Sequence, residues 1–246
     1  MARTMENAIA PELDAGNLAH GPVRVDVWLA SVEFDDDVLA NKARLDDAER
    51  ARADRFRFRR DADRFVNRRA FRREVLARYV GVDPADLRFD SSDHGRPGLR
   101  GRDGLSFSCS HAAGLAVVAV LRDGVVGVDV EHCRPVPDAT AIATGLLHPS
   151  EAGIIRSLAE ADRAAAFLQL WTRKEAVAKA DGAGLSLRLD AWAVTGEDQG
   201  ETTRASVRID HIPYTVVDVC LPEPYVAAVA VRGADVDVAV TRRAMT

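Results

Sequence analysis

The chain has 246 residues, 47% hydrophobic and 29% charged, with a formal net charge of −5. Such a composition describes a globular protein with chain enough for a large core, and it excludes a polyanion binder that works by bulk charge. Three cysteines, Cys109, Cys133 and Cys220, are too few and too scattered for a disulfide framework or a zinc site, so a reducing cytoplasm is the expected compartment.

Residues 1–20 show neither periodicity nor an apolar signal core and read as a loose leader. The next stretch, Val23 to Val32, alternates Val23, Val25, Val27 and Leu29 on one face, as a half-buried strand does. A basic helix is predicted from about Asp61 to Val80, closed by Gly81 and Pro84. Between Arg50 and Arg78 lie twelve arginines and four acids, a basic strip in an acidic protein that asks for a localised anionic partner. Within it, Arg64, Arg68 and Arg72 form an i, i+4 row. The interleaved Phe56, Phe58 and Phe65 are expected in the core rather than stacked on a base.

HGRPGLRGRDG, from His94 to Gly104, is a glycine-rich turn region, and Arg96 within it is expected to be free to grip an anion. LSFSCSH, LAVVAVL and VVGVDVEH follow as consecutive strands, with Asp123–Gly124 predicted as a hairpin turn. Residues 138–182 read as helices broken near Pro149 and Glu160. Strands return at Leu185–Val194, Ala205–Ile212, Tyr214–Leu221 and Tyr225–Arg232. The longest apolar runs, Leu115–Leu121 and Tyr225–Val231, have seven residues each. A membrane span needs about 20.

A faint repeat runs through the chain. VDV recurs at Val25–Val27 and Val128–Val130. FRREVLARYVG at Phe71–Gly81 lies over TRKEAVAKADG at Thr172–Gly182, and the two apolar runs resemble each other in the same order. The pattern predicts a duplicated α+β unit of strand, long helix and paired strands.

In VVGVDVEH, residues i and i+2 share a face, so Gly127, Asp129 and Glu131 point away from Val126, Val128 and Val130. Side-by-side carboxylates repel and resist desolvation, a conflict that a hard cation such as Mg²⁺ removes; the solvated face of an edge strand is the competing reading. Glu175 and Lys179 share a helix face, either as a plain ion pair or as a third carboxylate and an anion-binding ammonium beside that strand. Ser110 and His111 end their strand where a phosphate contact is plausible.

HGRP, FSCSH, GVDVE and WTRKEAVAKADG, in this order, resemble the motifs of the Sfp-type 4′-phosphopantetheinyl transferases over roughly residues 45–232. The resemblance implies an α+β pseudo-dimer of two similar α/β halves, 21–124 and 125–246, forming one catalytic unit that binds coenzyme A and Mg²⁺ between them. Mn²⁺ would substitute. Carried across, Asp129, Glu131 and Glu175 resemble the metal ligands. Lys179 resembles the lysine at the pyrophosphate, and Ser110 with His111 the phosphate-contacting pair. Arg96 and Pro97 match the nucleotide loop, and Arg52 and Arg64 the grip on the 3′-phosphate. Either Glu175 or Glu151 would be the general base. Three positions depart from the family pattern: Ser108 stands where asparagine is common, Ala112 where serine is frequent, and Glu49 where a basic contact is expected.

The activity so implied is transfer of phosphopantetheine from coenzyme A to a serine of an apo acyl or peptidyl carrier protein, releasing 3′,5′-ADP. The protein would act as a cytoplasmic monomer without nucleic-acid or membrane partners. A nucleic-acid-binding module built on the arginine strip is the rival from another class.

Overall fold

The computed structural model describes residues 23–32, 37–91, 96–184, 187–194, 197–198, 203–233 and 238–244; the expected leader, 1–20, lies outside them. In chain order the elements are β1 (Val23–Ser31), α1 (Val38–Ala43), α2 (Asp47–Ala53), α3 (Arg59–Val80), β2 (Phe89–Ser91), β3 (Pro97–Leu99), β4 (Leu105–Ala112) and β5 (Leu115–Arg122). They continue with β6 (Val126–His132), α4 (Ala139–Leu146), α5 (Pro149–Ser157), α6 (Glu160–Asp181), β7 (Glu197–Asp198), β8 (Thr203–Ile209), β9 (Ile212–Asp218), β10 (Tyr225–Arg232) and β11 (Val238–Ala244).

Two sheets carry the architecture. One has strand order β11-β1-β5-β4, with β11 parallel to β1 and the other pairings antiparallel. The other runs β6-β10-β9-β8-β7, antiparallel throughout. Val25 and Val27 of β1, Val117 and Ala119 of β5, and Val126 and Val128 of β6 meet in one buried cluster between the sheets. The opposite face of the first sheet, through Trp28, Val118 and Val120, packs on Phe71, Val75 and Leu76 of α3. The second sheet uses Ala228 and Ala230 against Val177 and Ala180 of α6. Helix, sheet, sheet, helix is the resulting layering. It explains why β5 and β10 read as unbroken apolar runs, since both of their faces are covered.

The repeat is visible in this arrangement. β1, α3, β4 and β5 of the first half match β6, α6, β9 and β10 of the second, and in each the last strand lies between the other two. Both helices have 22 residues, and each ends on a left-handed glycine, Gly81 (φ 69°) and Gly182 (φ 90°).

Four expectations change. Asp123–Gly124 is not a hairpin turn, because β5 and β6 belong to different sheets. The Asp123 N–H bonds Gly104, and the chain passes there from one sheet to the next. In place of a strand at 185–194, described residues 187–194 hold only a turn at Leu189–Ala191. The Leu189 and Trp192 carbonyls there accept from Lys174 Nζ instead of a neighbouring strand. Phe65 is buried, but Phe56 and Phe58 are 36% and 60% exposed. Arg96 is not a free side chain, as its bonds below show.

Candidate active site

A glycine sets the distance between α6 and the strand beneath it. A Cβ on Gly127 would lie 2.0 Å from the Ala176 carbonyl oxygen and 2.5 Å from the Ala180 nitrogen, so no side chain fits there. Gly127, Asp129 and Glu131 share the β6 face that α6 covers, and this close approach brings Glu175 and Lys179 over the two acids.

Asp129 is 5% exposed. Its Oδ1 accepts from Lys179 Nζ and from Ser110 Oγ, both at 2.7 Å, while its Oδ2 is buried with no hydrogen-bond partner. Burial and then the charge of Asp129 push the Glu131 carboxyl above its ordinary range, against the smaller pull of Arg134, Lys179 and the Trp171 indole. Glu175 is pushed up in the same way, by burial first and Asp129 next. A bare buried carboxylate oxygen beside two carboxyls that resist ionisation fits a hard divalent cation with oxygen ligands. Among the described residues, however, no three His, Cys, Asp or Glu side chains already converge as a cage. The Lys179 ammonium is the cation that partly neutralises Asp129.

Alongside lies a cleft of about 320 Å³. Arg52 of α2, Arg68, Arg69 and Arg72 of α3, Pro97, and Ser110 with His111 on β4 line it. Burial, followed by Arg69, Arg64 and Arg52, lowers the Arg68 pKa, the mark of a crowded cationic wall that calls for an anion. His111 is exposed at the rim of the cleft. Partial desolvation there, then the charges of Arg68, Lys179 and Arg69, push it down to about 4, so its imidazole is neutral at pH 7 and presents a hydrogen-bonding nitrogen without a charge. Ser110 joins the two regions, lining the cleft and donating to Asp129.

The residues singled out from the sequence thus divide. Asp129, Glu131, Glu175, Lys179, Ser110, His111, Arg52 and Pro97 come together around the cleft and the acidic strand. Arg64 sits one turn before Arg68, close enough to be felt by it, but does not line the cleft. Arg96 donates to the Ala180 carbonyl at 2.9 Å, Ser106 Oγ at 3.0 Å and the Val126 carbonyl at 3.1 Å. It staples the segment before β3 to the end of α6 and the start of β6. Glu151 is fully buried: Oε1 accepts from the Val194 N–H, and Oε2 accepts from the His148 N–H and pairs with Lys174. Neither oxygen is left for a substrate. Sequence reasoning did not single out Arg69, nor assign Arg68 and Arg72 to the site, although the i, i+4 row containing the latter two was visible. The spacing function of Gly127 was also missed; an isolated glycine inside a strand was its signal.

The 4′-phosphopantetheinyl transferase superfamily model matches residues 125–230, and the model of a 4′-phosphopantetheinyl transferase N-terminal region matches residues 33–122. The 4′-phosphopantetheinyl transferase HetI of Nostoc sp. is 34% identical over 195 residues, 78% of this chain and 80% of the relative. The 4′-phosphopantetheinyl transferase Sfp of Bacillus subtilis is 27% identical over 154 residues, 63% of this chain and 67% of the relative. The chain belongs to the 4′-phosphopantetheinyl transferase superfamily.

Proposed function

We propose that this protein moves the 4′-phosphopantetheine arm of coenzyme A onto a serine hydroxyl of an apo acyl or peptidyl carrier protein, with Mg²⁺ as its metal and Mn²⁺ able to replace it. The observation that carries the reading is the orphaned Asp129 Oδ2, buried next to a wall of arginines. One end of this site wants a cation and the other an anion, which suits a metal–pyrophosphate. Residues 21–124 supply the arginines and His111, and residues 125–246 the carboxylates and Lys179, so both halves serve one catalytic unit.

Asp129, Glu131 and Glu175 would hold the ion, which supplies, when bound, charge neutralisation on the pyrophosphate. Arg52, with Arg64 nearby, would face the 3′-phosphate, and Pro97 the nucleotide. Lys179, Ser110 and neutral His111 would hold the oxygens of the transferring phosphoryl group. The serine oxygen forms a bond to that phosphorus, and the bond from phosphorus to the bridging pyrophosphate oxygen breaks, releasing 3′,5′-ADP. The serine proton passes to Glu175, the carboxylate that α6 holds beside the acidic strand. Glu151, with both oxygens engaged, serves the fold instead, and Arg96 acts as a staple that shapes the cleft. The protein acts as a cytoplasmic monomer. Among the described residues no helix is long and apolar enough to cross a membrane.

The test is to incubate the protein with an apo carrier protein, coenzyme A and Mg²⁺ and to weigh the carrier by mass spectrometry. Gain of the phosphopantetheine arm on serine is expected; an unmodified carrier across both acyl and peptidyl types would reject the reading.

A further inference from the structure

Where α2 crosses α3, one carboxylate stands against three guanidinium groups. Glu49 Oε1 accepts from Arg72 Nη2 at 2.6 Å, Oε2 accepts from Arg73 Nε at 2.7 Å, and Arg69 Nε lies 3.8 Å from Oε1. The Glu49 side chain is 11% exposed, that of Arg72 7%, and that of Arg73 not at all. Arg69 and Arg72 line the cationic cleft; Arg73 does not, and binds Asp46 together with the Pro84 and Leu87 carbonyls. The Arg72 guanidinium also sits 3.9 Å from the centre of the Phe89 ring. Burial pushes Arg72 down to about 10, with Glu49 among the groups opposing that shift.

We propose that Glu49 sets the charge of the anion cleft: its fixed carboxylate cancels part of the positive charge on Arg69 and Arg72, so that the cleft lets its polyanionic product go. This rests on the reading of the cleft as the seat of the coenzyme A phosphates. A negative charge inside the cleft wall, largely shielded from solvent, is weakly screened and acts at short range on whatever anion the arginines hold. Removing it strengthens anion binding. The same carboxylate is also a counter-ion of buried Arg73, so removing it weakens the fold. The two effects carry opposite signs, whereas a residue that only held the fold together would lower stability and affinity alike.

E49Q removes the charge and keeps one acceptor oxygen; because both Glu49 oxygens accept from arginines, its amide NH2 faces one guanidinium, which adds to the lost stability. D46N is the control: Asp46 pairs with Arg73, outside the cleft, and its side chain is 33% exposed. Its Oδ1 also caps α2 by accepting from the Glu49 N–H, a role asparagine keeps. Melting temperature and calorimetric titration with 3′,5′-ADP and, separately, inorganic pyrophosphate are measured on the full chain. E49Q is expected to melt lower than the wild type yet to bind both anions more tightly, on the order of 3–10-fold, with stronger product inhibition in turnover. D46N is expected to melt lower with unchanged affinity. Tighter pyrophosphate binding in E49Q, with no binding of 3′,5′-ADP to the wild type, would support the charge-setting role and reject the coenzyme A reading. Weaker or unchanged anion affinity in E49Q, equal tightening in D46N, or a wild type that binds neither anion would overturn the proposal.

Discussion

Lys174 Nζ lies 2.8 Å from Glu151 Oε2, and neither side chain is exposed to solvent. The pair ties α5 to α6, and through the Leu189 and Trp192 carbonyls it also holds residues 187–194. Burial lowers the Lys174 pKa while Glu151 opposes the change, so the ammonium depends on its partner. Removing one member strands a buried charge.

Glu151→Gln is therefore expected to lose about 3–5 kcal/mol of stability. Below its melting transition it should keep most of kcat, the KM for coenzyme A and the response to Mg²⁺. Replacing both residues together, Glu151→Leu with Lys174→Met, should recover only part of the loss, because it removes the unpaired charge but leaves the Val194 N–H and the Leu189 and Trp192 carbonyls without these partners. A large fall in kcat with an unchanged melting curve would instead make Glu151 the base.

Asp129→Asn should abolish transfer while leaving the fold intact, since it removes the carboxylate oxygen that has no partner and keeps an Oδ1 able to accept from Lys179 and Ser110. Ligand binding to the native state raises melting temperature by mass action. Mg²⁺ should accordingly raise that of the wild type and not that of Asp129→Asn, a readout independent of turnover. Full wild-type activity in excess EDTA would end the metal assignment.

The charge on His111 gives a pH signature. Its pKa falls from an ordinary 6.5 to about 4 in the folded chain, so between these values the unfolded state binds more protons. The stability linked to His111 is thus present above pH 6.5 and declines as pH drops toward 4. Proton NMR of the free protein should show the imidazole titrating near 4, and bound 3′,5′-ADP should move the midpoint upward. His111→Gln should remove that part of the acid dependence. A free-protein midpoint at 6.5 would mean that neither desolvation nor the charges of Arg68, Lys179 and Arg69 act on the ring.

Local patterns were legible, and distant partners were not. The helical stripe of Phe71, Val75 and Tyr79 with its glycine stop predicted α3 to within two residues at its start, because periodicity and capping are properties of adjacent residues. Alternation in VVGVDVEH likewise assigned the two faces of β6. Arg96 went astray because its partners, Ala180 and Val126, lie 84 and 30 positions away. Nothing in HGRP reports them. Asp123–Gly124 shows the same limit: turn chemistry marks a change of direction, but the sheet that the next strand joins depends on packing between the halves.

The duplication leads to the last prediction, that the chain has one active site and not two. With α3 laid over α6, Glu74 and Arg78 fall on Glu175 and Lys179, and Tyr79 falls on Ala180. On the strands, Asp26 falls on Asp129 and Trp28 on Glu131. The first half has filled the corresponding space. The Tyr79 hydroxyl donates to Asp26 Oδ2 and accepts from Trp28 Nε1 at 2.8 Å, while the Arg78 guanidinium lies 5.2 Å from the centre of a Trp28 ring. Asp26 is thus bonded to a phenol where Asp129 keeps a bare oxygen, and an indole cannot replace a carboxylate as a Mg²⁺ ligand. Arg78 pairs with Glu74 at 3.4 Å on a partly exposed helix face, which contributes only ~0.3–0.5 kcal/mol. Asp26→Asn should weaken the Tyr79 bond and lower stability by about 1–2 kcal/mol. It should leave the Mg²⁺ dependence of transfer unchanged. Calorimetric titration with coenzyme A and Mg²⁺ should give a stoichiometry of one per chain; a value near two, or lost Mg²⁺ activation in Asp26→Asn, would show that the first half retains a working site.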